Sequence, residues 1–580
     1  MKNGNPETLE EALKLIAEQN AKLQENEKEL SKAHQLIIEQ TAEIKILNEK
    51  LAVKRAREFM ARSEKASRLY KDQPFLFDSE DINIEIENQC PIEIAEDLIK
   101  EENNNSETKK AGRKSLSSKN NLPKKRVVID LTEEEKICPN CGSMMKKVRE
   151  QTSERIVHVP AYEYIEVVVK NVYECPNCVG EDDKPVTKTA KEKRIIERSI
   201  ATPELLSHIF MGKYQRHTPY YCQEDSYNWQ GVHISRQNMC NWQQKVYERL
   251  KPLGELLNQE LKKGRLLMFD ETPLEVLKVN EEELKAEYWN EASYKKKEEN
   301  SGQQKQCYMW VVLGGDGVHP VITYNFRWTR SGKNVIYFLK GFNGSVIISD
   351  GYNGYDSAVN YWNENNPEHQ ITLCNCNVHA RRYFADAVKA TKSPTAKEAV
   401  RMYEAIFRAD KSLREKFDKG NLTKEEFVEQ RQKFVKPLFD TFHNWLIDKK
   451  EKEMILDSSK TKEAVNYCLN RWTELTNFLN YSFVPPSTNE AERAVKPFVM
   501  TRKNALFAGS GIGAESSCFL FTLIETAKAN KLNPEDYLRC LFEQAPYAET
   551  ASDWKKLLPW NIEITPFKMR GEWIDLNNEN

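Results

Sequence analysis

The sequence has no long uninterrupted apolar run, which excludes a transmembrane helix and any membrane partner reached through one. Its first residues, MKNGNPETLEEALKL, lack the apolar stretch of a secretory signal, so a cytoplasmic protein is expected. A reducing compartment argues in turn against a disulfide framework among the 13 cysteines. A strong excess of either charge is also missing. The formal net charge of −2 carries no global sign of a nucleic-acid partner, so the distribution of charge is the informative quantity. Apolar residues reach only 39% against 30% charged, so part of the chain must be solvated helix or linker while the rest supplies a core. A length of 580 residues predicts several domains.

What is present divides along the chain. Residues 1–65 are expected to hold a coiled coil, because Leu9, Ile16, Leu23, Leu30, Ile37, Ile44 and Leu51 recur every seven residues. Polar Asn20, Glu27, His34 and Thr41 occupy the second core position of one register, which weakens the coil or selects its register. Self-association through this stripe predicts a homo-oligomer; the alternative is one long amphipathic helix packing on its own chain. Residues 66–129 read as a linker, first acidic and then basic. Residues 80–107 hold ten Asp and Glu against Lys100 alone, and residues 109–126 hold eight Lys and Arg and no acid. A basic linker can follow phosphates with sequence-independent, salt-sensitive contacts, and the acidic run beside it can shield it when DNA is absent.

Residues 130–195 are expected to form a structural zinc module. Cys138-Pro-Asn-Cys141 and Cys175-Pro-Asn-Cys178 are near-identical knuckles, each placing two thiolates on one side of a tight turn, and two knuckles complete a closed tetrahedral Zn²⁺ site. The alternating segments between them suit a hairpin that brings the knuckles together. Residues 196–260 read as helical, with breaks near Pro219 and Gly231. A turn at Gly231 followed by a helix capped by Ser235, with Met239, Trp242 and Val246 on one face, resembles a helix-turn-helix; packing helices in any α-rich region look the same.

From Arg265 the pattern becomes three strands, helix, strand, helix, strand, and then a charged helical stretch. Asp270 ends the first apolar strand in LLMFDET, and Asp350 ends the fourth in VIISDGY. Acids just past strand ends are solvent-facing and rigidly held, and two of them on neighbouring strands repel unless a divalent cation such as Mg²⁺ neutralises them. Either acid alone is equally a turn or cap aspartate.

Here the chain resembles the insertion sequence 66 group of transposases, within the DDE superfamily. The resemblance is carried by FMARSEK, GRKSLSSKNNLP leading into the four cysteines, MGKYQRHTPYYCQED, FDETP, SDGY, CNVHARRYF and NEAERAVKPFVMTRKNALFAGS. It implies a multidomain α+β chain whose RNase H-like α/β catalytic domain, residues 261–510, contains a helical insertion, 385–480, and precedes a C-terminal helical region, 511–580. It also implies a third acid, Glu492, which spacing alone does not choose over Glu490. Ser487 and Thr488 stand where the family commonly has Asp-Asn, Asn377 and Val378 where it has an aromatic and a small residue, and residues 280–306 form a charged insertion.

The resemblance implies a DNA transposase of a bacterial insertion sequence. Asp270, Asp350 and Glu492 would hold two Mg²⁺ ions for strand cleavage at the element ends and transfer of the freed 3′-hydroxyl to target DNA. His379, Arg381, Arg382, Arg502 and Lys503 are expected to support the site or contact phosphate. Expected partners are double-stranded DNA at element ends and target, further copies of the chain, and accessory proteins of the same element, in a cytoplasmic, nucleoid-associated setting. The alternatives are a non-catalytic zinc-containing DNA-binding protein derived from such an element, and an assembly protein with no DNA role.

Overall fold

The computed structural model describes residues 192–291, 293–295, 306–451 and 460–567, two strands before them, and isolated positions nearer the N-terminus. Cys138, Cys141, both linker segments and nearly all of the heptad stripe lie outside the described residues. The chain divides into two units, Glu96–Glu192 being one and the described residues from Lys193 onward falling in the other. In the first, β1 (Val172–Val179) pairs antiparallel with β2 (Pro185–Thr189). Its register jumps between Glu174 and Val179, the span that holds Cys175-Pro-Asn-Cys178.

The larger unit opens with α1 (Pro203–Tyr214), α2 (Tyr220–Trp229) and α3 (Arg236–Leu261). Thr202 caps α1 with Pro203 in its first turn, and Ser235 Oγ accepts the Asn238 N–H at 3.2 Å to start α3, as expected. Gly231 makes the turn between α2 and α3 with φ +79°, a conformation costly to any residue with a Cβ. The apolar face of α3 is not free to serve a separate DNA-reading module. Met239, Trp242 and Val246 are buried in the same core as Phe269 of the central sheet and Phe521 near the C-terminus. The expected boundaries at 260 and 510 therefore do not interrupt the core.

The sheet contains β3 (Leu266–Lys278), β4 (Gln306–Gly315), β5 (Pro320–Arg327), β6 (Val346–Ser349), β7 (Thr372–Asn375) and β8 (Phe507–Ser510). Its order is β5-β4-β3-β6-β7, with β8 also beside β3. β4 runs antiparallel to both β3 and β5, whereas β6 and β8 join β3, and β7 joins β6, in parallel. The predicted alternation is observed apart from a short helix, Glu281–Ala286, between β3 and β4: α4 (Gly332–Leu339) precedes β6, and α5 (Asn353–Asn365) connects β6 to β7.

One expectation needs correction. β3 does not end at Asp270 but runs on to Lys278. It continues because β4 pairs with it from Met268 to Glu275 and β8 takes over the opposite side from Glu275. On that opposite side β6 stops at Met268. Residues 269–274 therefore have no strand neighbour there, and α11 (Asn489–Ala505), which follows the helical insertion, packs against β3.

Edge strand β5 is closed by α12 (Gly511–Ala529). Thr522 Oγ1 accepts the Tyr324 N–H at 2.9 Å, and Thr526 Oγ1 both accepts from Ile322 N and donates to Ile322 O. Two threonines four apart on one helix face thus satisfy the strand's outward backbone groups and block pairing by another chain. α13 (Pro534–Gln544) completes this side and packs on α1.

The insertion builds its own core from α6 (Asn377–Thr391), α7 (Pro394–Asp418), α8 (Lys424–Gln430), α9 (Lys436–Glu451) and α10 (Lys460–Asn470), and this core extends to Val346 and Ile348 of β6. At its centre Arg431 is fully buried. It pairs with Asp410 at 2.6 Å and donates to the carbonyls of Phe478, Tyr481 and Val484. Those carbonyls lie on the segment that leads into α11, so this arginine ties the insertion to the helix bearing Glu492. Arg431→Met would leave Asp410 buried without its cation and take the guanidinium donor from three carbonyls. Urea denaturation is expected to show a loss of about 3–5 kcal/mol; a loss below about 1 kcal/mol would mean that the pair is dispensable.

Candidate active site

The site is built where β3 and β6 part. Their parallel register has a constant offset of 80, Leu266 opposite Val346 and Met268 opposite Ile348. Two residues past the last pair on each strand stand Asp270 and Asp350, the latter immediately after β6, and the Asp350 charge bears on Asp270. Asp350 is held in place by local bonds. Its Oδ1 accepts the Tyr352 N–H at 3.0 Å, its Oδ2 accepts from Arg330 at 3.0 Å, and Asn375 donates to its carbonyl at 3.2 Å. Gly351 allows this turn to lie close beneath Tyr467: a Cβ there would fall 2.3 Å from the tyrosine oxygen.

Glu492 enters from the first turn of α11, its N–H bonded to Thr488 O. Arg382 Nη2 donates to both of its carboxylate oxygens at 3.2 and 3.1 Å, and His379 Nε2 lies 3.4 Å from Oε1. His379 and Arg382 are three apart on α6 and so share one face. Arg381 lies off that face and pairs instead with Glu404 of α7 at 2.9 Å, so it is not part of this cluster. Thr488 and Asn377, two of the departures from the family pattern, act through the backbone and the insertion. The Thr488 N–H donates to Cys376 Sγ at 3.2 Å, the Asn377 N–H donates to Pro486 O at 2.9 Å, and Asn377 Nδ2 reaches Leu475 O.

Arg502 donates to Thr272 Oγ1 at 3.1 Å and to the Pro273 carbonyl, locking the last turn of α11 onto the unpaired stretch of β3. Lys503 is exposed beside it, and the two line a shallow cleft with Glu275 and Leu506.

Sequence reasoning passed over four residues here. Glu271, the neighbour of Asp270, has a side chain only 2% exposed and bonds to Arg330 and to the Tyr355 hydroxyl. Arg330 bridges Glu271 and Asp350, with its guanidinium 4.1 Å above the Tyr352 ring. Cys376 caps α6, and its Sγ, a His379 ring nitrogen and a Glu492 oxygen lie within 4.8 Å of one another. The C-x-x-H spacing in CNVH was a visible signal for Cys376; nothing local marked Arg330 or Tyr355.

The electrostatics follow from crowding. Burial, then the Glu271 charge, and further Glu492 and Asp350 push the Asp270 carboxyl up to about 8, against a smaller opposing pull from His379. Burial and the Asp350 charge likewise raise Glu271, which Arg330 and Tyr355 hold back in part. Burial lowers His379, but the adjoining Cys376 and Glu492 outweigh it and lift the imidazole to about 9. Burial raises the Cys376 thiol, and His379 with the Thr488 N–H more than reverses this. A compact set of oxygen donors that resist carrying their charges together is the donor chemistry that suits Mg²⁺.

Asp270 is protonated more readily in the folded chain than in the unfolded one. Metal-depleted protein therefore holds this group's stability at low pH and loses it as pH rises from about 4 to about 8. Thermal unfolding of Asp270→Asn in chelator should lack that decline and exceed the parent at pH 8. Parallel pH profiles for the two proteins would contradict the crowding.

A sequence profile described as "Transposase IS66 family" matches residues 198–516, and another described as "IS66 C-terminal element" matches residues 522–560. Among curated proteins, the uncharacterized protein y4jD of Sinorhizobium fredii is 28% identical over 446 residues, covering 76% of this chain and 80% of its own. The uncharacterized protein y4qI of the same organism is 27% identical over 436 residues, covering 74% and 75%. The first profile spans the whole of the sheet, the insertion and the helix that carries Glu492, and on that match the chain belongs to the IS66 family of transposases.

Proposed function

We propose that this protein is a Mg²⁺-dependent DNA transposase that cuts the ends of an insertion sequence and joins them to target DNA, with Asp270, Asp350 and Glu492 as its catalytic carboxylates. The observation that supports this reading is that Asp270 and Asp350 each follow by two residues the last β3–β6 pair, at the gap covered by α11, and that the Glu492 and Asp350 charges both bear on Asp270. Three antiparallel strands followed by two parallel ones, in the order β5-β4-β3-β6-β7, support an RNase H-like assignment of the catalytic domain.

Asp270, Asp350 and Glu492 would hold two Mg²⁺ ions, which supply activation of an attacking water or 3′-hydroxyl and stabilisation of the leaving oxygen. The chain's own groups prepare the rest. Arg330 and Arg382 fix the rotamers of Asp350 and Glu492 and offset their charge before substrate arrives. A charged His379 beside Glu492 adds to this and can donate to a phosphate oxygen. Glu271, buried between Arg330 and Tyr355, orients Arg330 rather than reaching substrate. No side-chain nucleophile is required, because the attacking oxygen belongs to water or to DNA.

The four cysteines hold structural Zn²⁺, the heptad segment joins copies of the chain so that two DNA ends can be paired, and the basic linker, the exposed first turn of α3 and Lys503 follow DNA backbone.

The test is cleavage and strand transfer on element-end DNA with Mg²⁺. Asp270→Asn, Asp350→Asn and Glu492→Gln should each reduce the rate by at least about 10³-fold while DNA binding at moderate salt is retained. Full cleavage by any one of them would remove that residue from the catalytic set. A second contrast probes the support. Arg382→Ala should slow cleavage by roughly 10–100-fold, whereas Arg381→Ala should leave the rate within a few-fold and cost at most about 1 kcal/mol of stability. Equal rates for the two would show that the Glu492 pairing is immaterial.

A further inference from the structure

We propose that Cys376, His379 and Glu492 bind one thiophilic divalent cation of the zinc class, at a site distinct from the four-cysteine module and sharing only Glu492 with the carboxylate cluster. Two of the ligands come from one turn of helix. Cys376 is the N-cap of α6 and His379 follows three residues later, so thiol and imidazole project from the same face. The third comes from the first turn of α11. The two helix starts are fastened together by the Thr488 N–H on Cys376 Sγ and the Asn377 N–H on Pro486 O.

The geometry and the donor set both point to such an ion. Sulfur, nitrogen and oxygen donors lie within 4.8 Å of one another. A tetrahedral zinc centre draws such atoms to about 3.3–3.8 Å, and His379 Nε2 and Glu492 Oε1 are already 3.4 Å apart. A thiolate and an imidazole suit zinc and exclude Mg²⁺, which takes oxygen. His379 Nδ1 is buried and has no hydrogen-bond partner among the described residues. The surrounding bonds are those of a metal's outer shell: a backbone N–H on the sulfur and Arg382 on the carboxylate. Three protein ligands leave a fourth position open for water or a phosphate oxygen.

The consequence is competition. An ion at this site takes Glu492 away from Asp270 and Asp350, so Zn²⁺ would hold the protein in a state that binds DNA and does not cut it. That consequence rests on the transposase reading; the binding itself does not.

The experiment counts metal on the full chain. Chelator-stripped protein is reloaded with Zn²⁺, freed of excess and analysed for zinc per chain, with Co²⁺ absorption as a second readout. Cys376→Ser and His379→Gln should each bind one equivalent less than the parent, or bind it at least tenfold more weakly, and Cys376→Ser should lose the thiolate-to-cobalt charge transfer of one ligand. Asp270→Asn should keep the full count even though it is expected to lose cleavage, which separates this site from the failure of the catalytic assignment. Equal counts and identical cobalt spectra in the parent and both ligand variants would overturn the site. Should Cys376→Ser not fold, as judged by circular dichroism, His379→Gln decides by the same count.

Discussion

The structure depends on the way β3 changes partners. On one side it pairs with β4 over its middle; on the other it is held by β6 at its start and by β8 at its end, with residues 269–274 left open between them. A central strand with an unpaired stretch is costly unless something covers it, and α11 does, pinned by Arg502 to Thr272 and Pro273. Glu492 stands on that same covering helix, and its charge raises Asp270. The backbone constraint and the candidate chemistry are therefore one feature: the gap needs a covering helix, and the covering helix delivers the third carboxylate.

Charge is the second organising quantity. Burial, and then the charges of Asp270, Glu271, Asp350 and Glu492 on one another, raise the first two. Arg330 and Arg382 each meet two carboxylate oxygens, on two residues in the first case and on one in the second. They limit the repulsion without abolishing it, since Asp270 has no arginine partner of its own among its shifting neighbours. A site left with residual negative charge around one protonatable acid is poised to exchange that proton for a cation. The insertion contributes through α6, which carries both His379 and Arg382, and through Arg431, whose bonds to the chain before α11 steady the entry to Glu492.

Much of this was legible locally. The strand and helix succession from Arg265 to Asn375 follows apolar runs bounded by turn residues, and the Ser235 cap and the buried stripe of α3 follow from short-range pattern. Asp270 and Asp350 stood out because each closes an apolar run. The length of β3 did not, because Glu271, Pro273 and Glu275 interrupt the run and are accepted into the strand only through pairing with β4 and β8. Arg381 and Arg382 are adjacent and equivalent as letters. Helix phase sends one to Glu404 and the other to Glu492.

The sequence by itself determined the kinds of element, their order, the two aspartates that close apolar runs and, through motif resemblance, the family and a candidate third acid. Tertiary structure alone decided that α3 and α12 share the sheet's core, that Glu271 is buried between Arg330 and Tyr355, and that Cys376 meets His379 and Glu492. The division has a physical cause. Periodicity and capping act over a few residues, whereas the contacts of Glu271 with Arg330 and Tyr355 and of Cys376 with Glu492 join positions 59 to 116 apart in the chain, and arise only when β3 pairs with β6 and α11 closes the gap between β6 and β8.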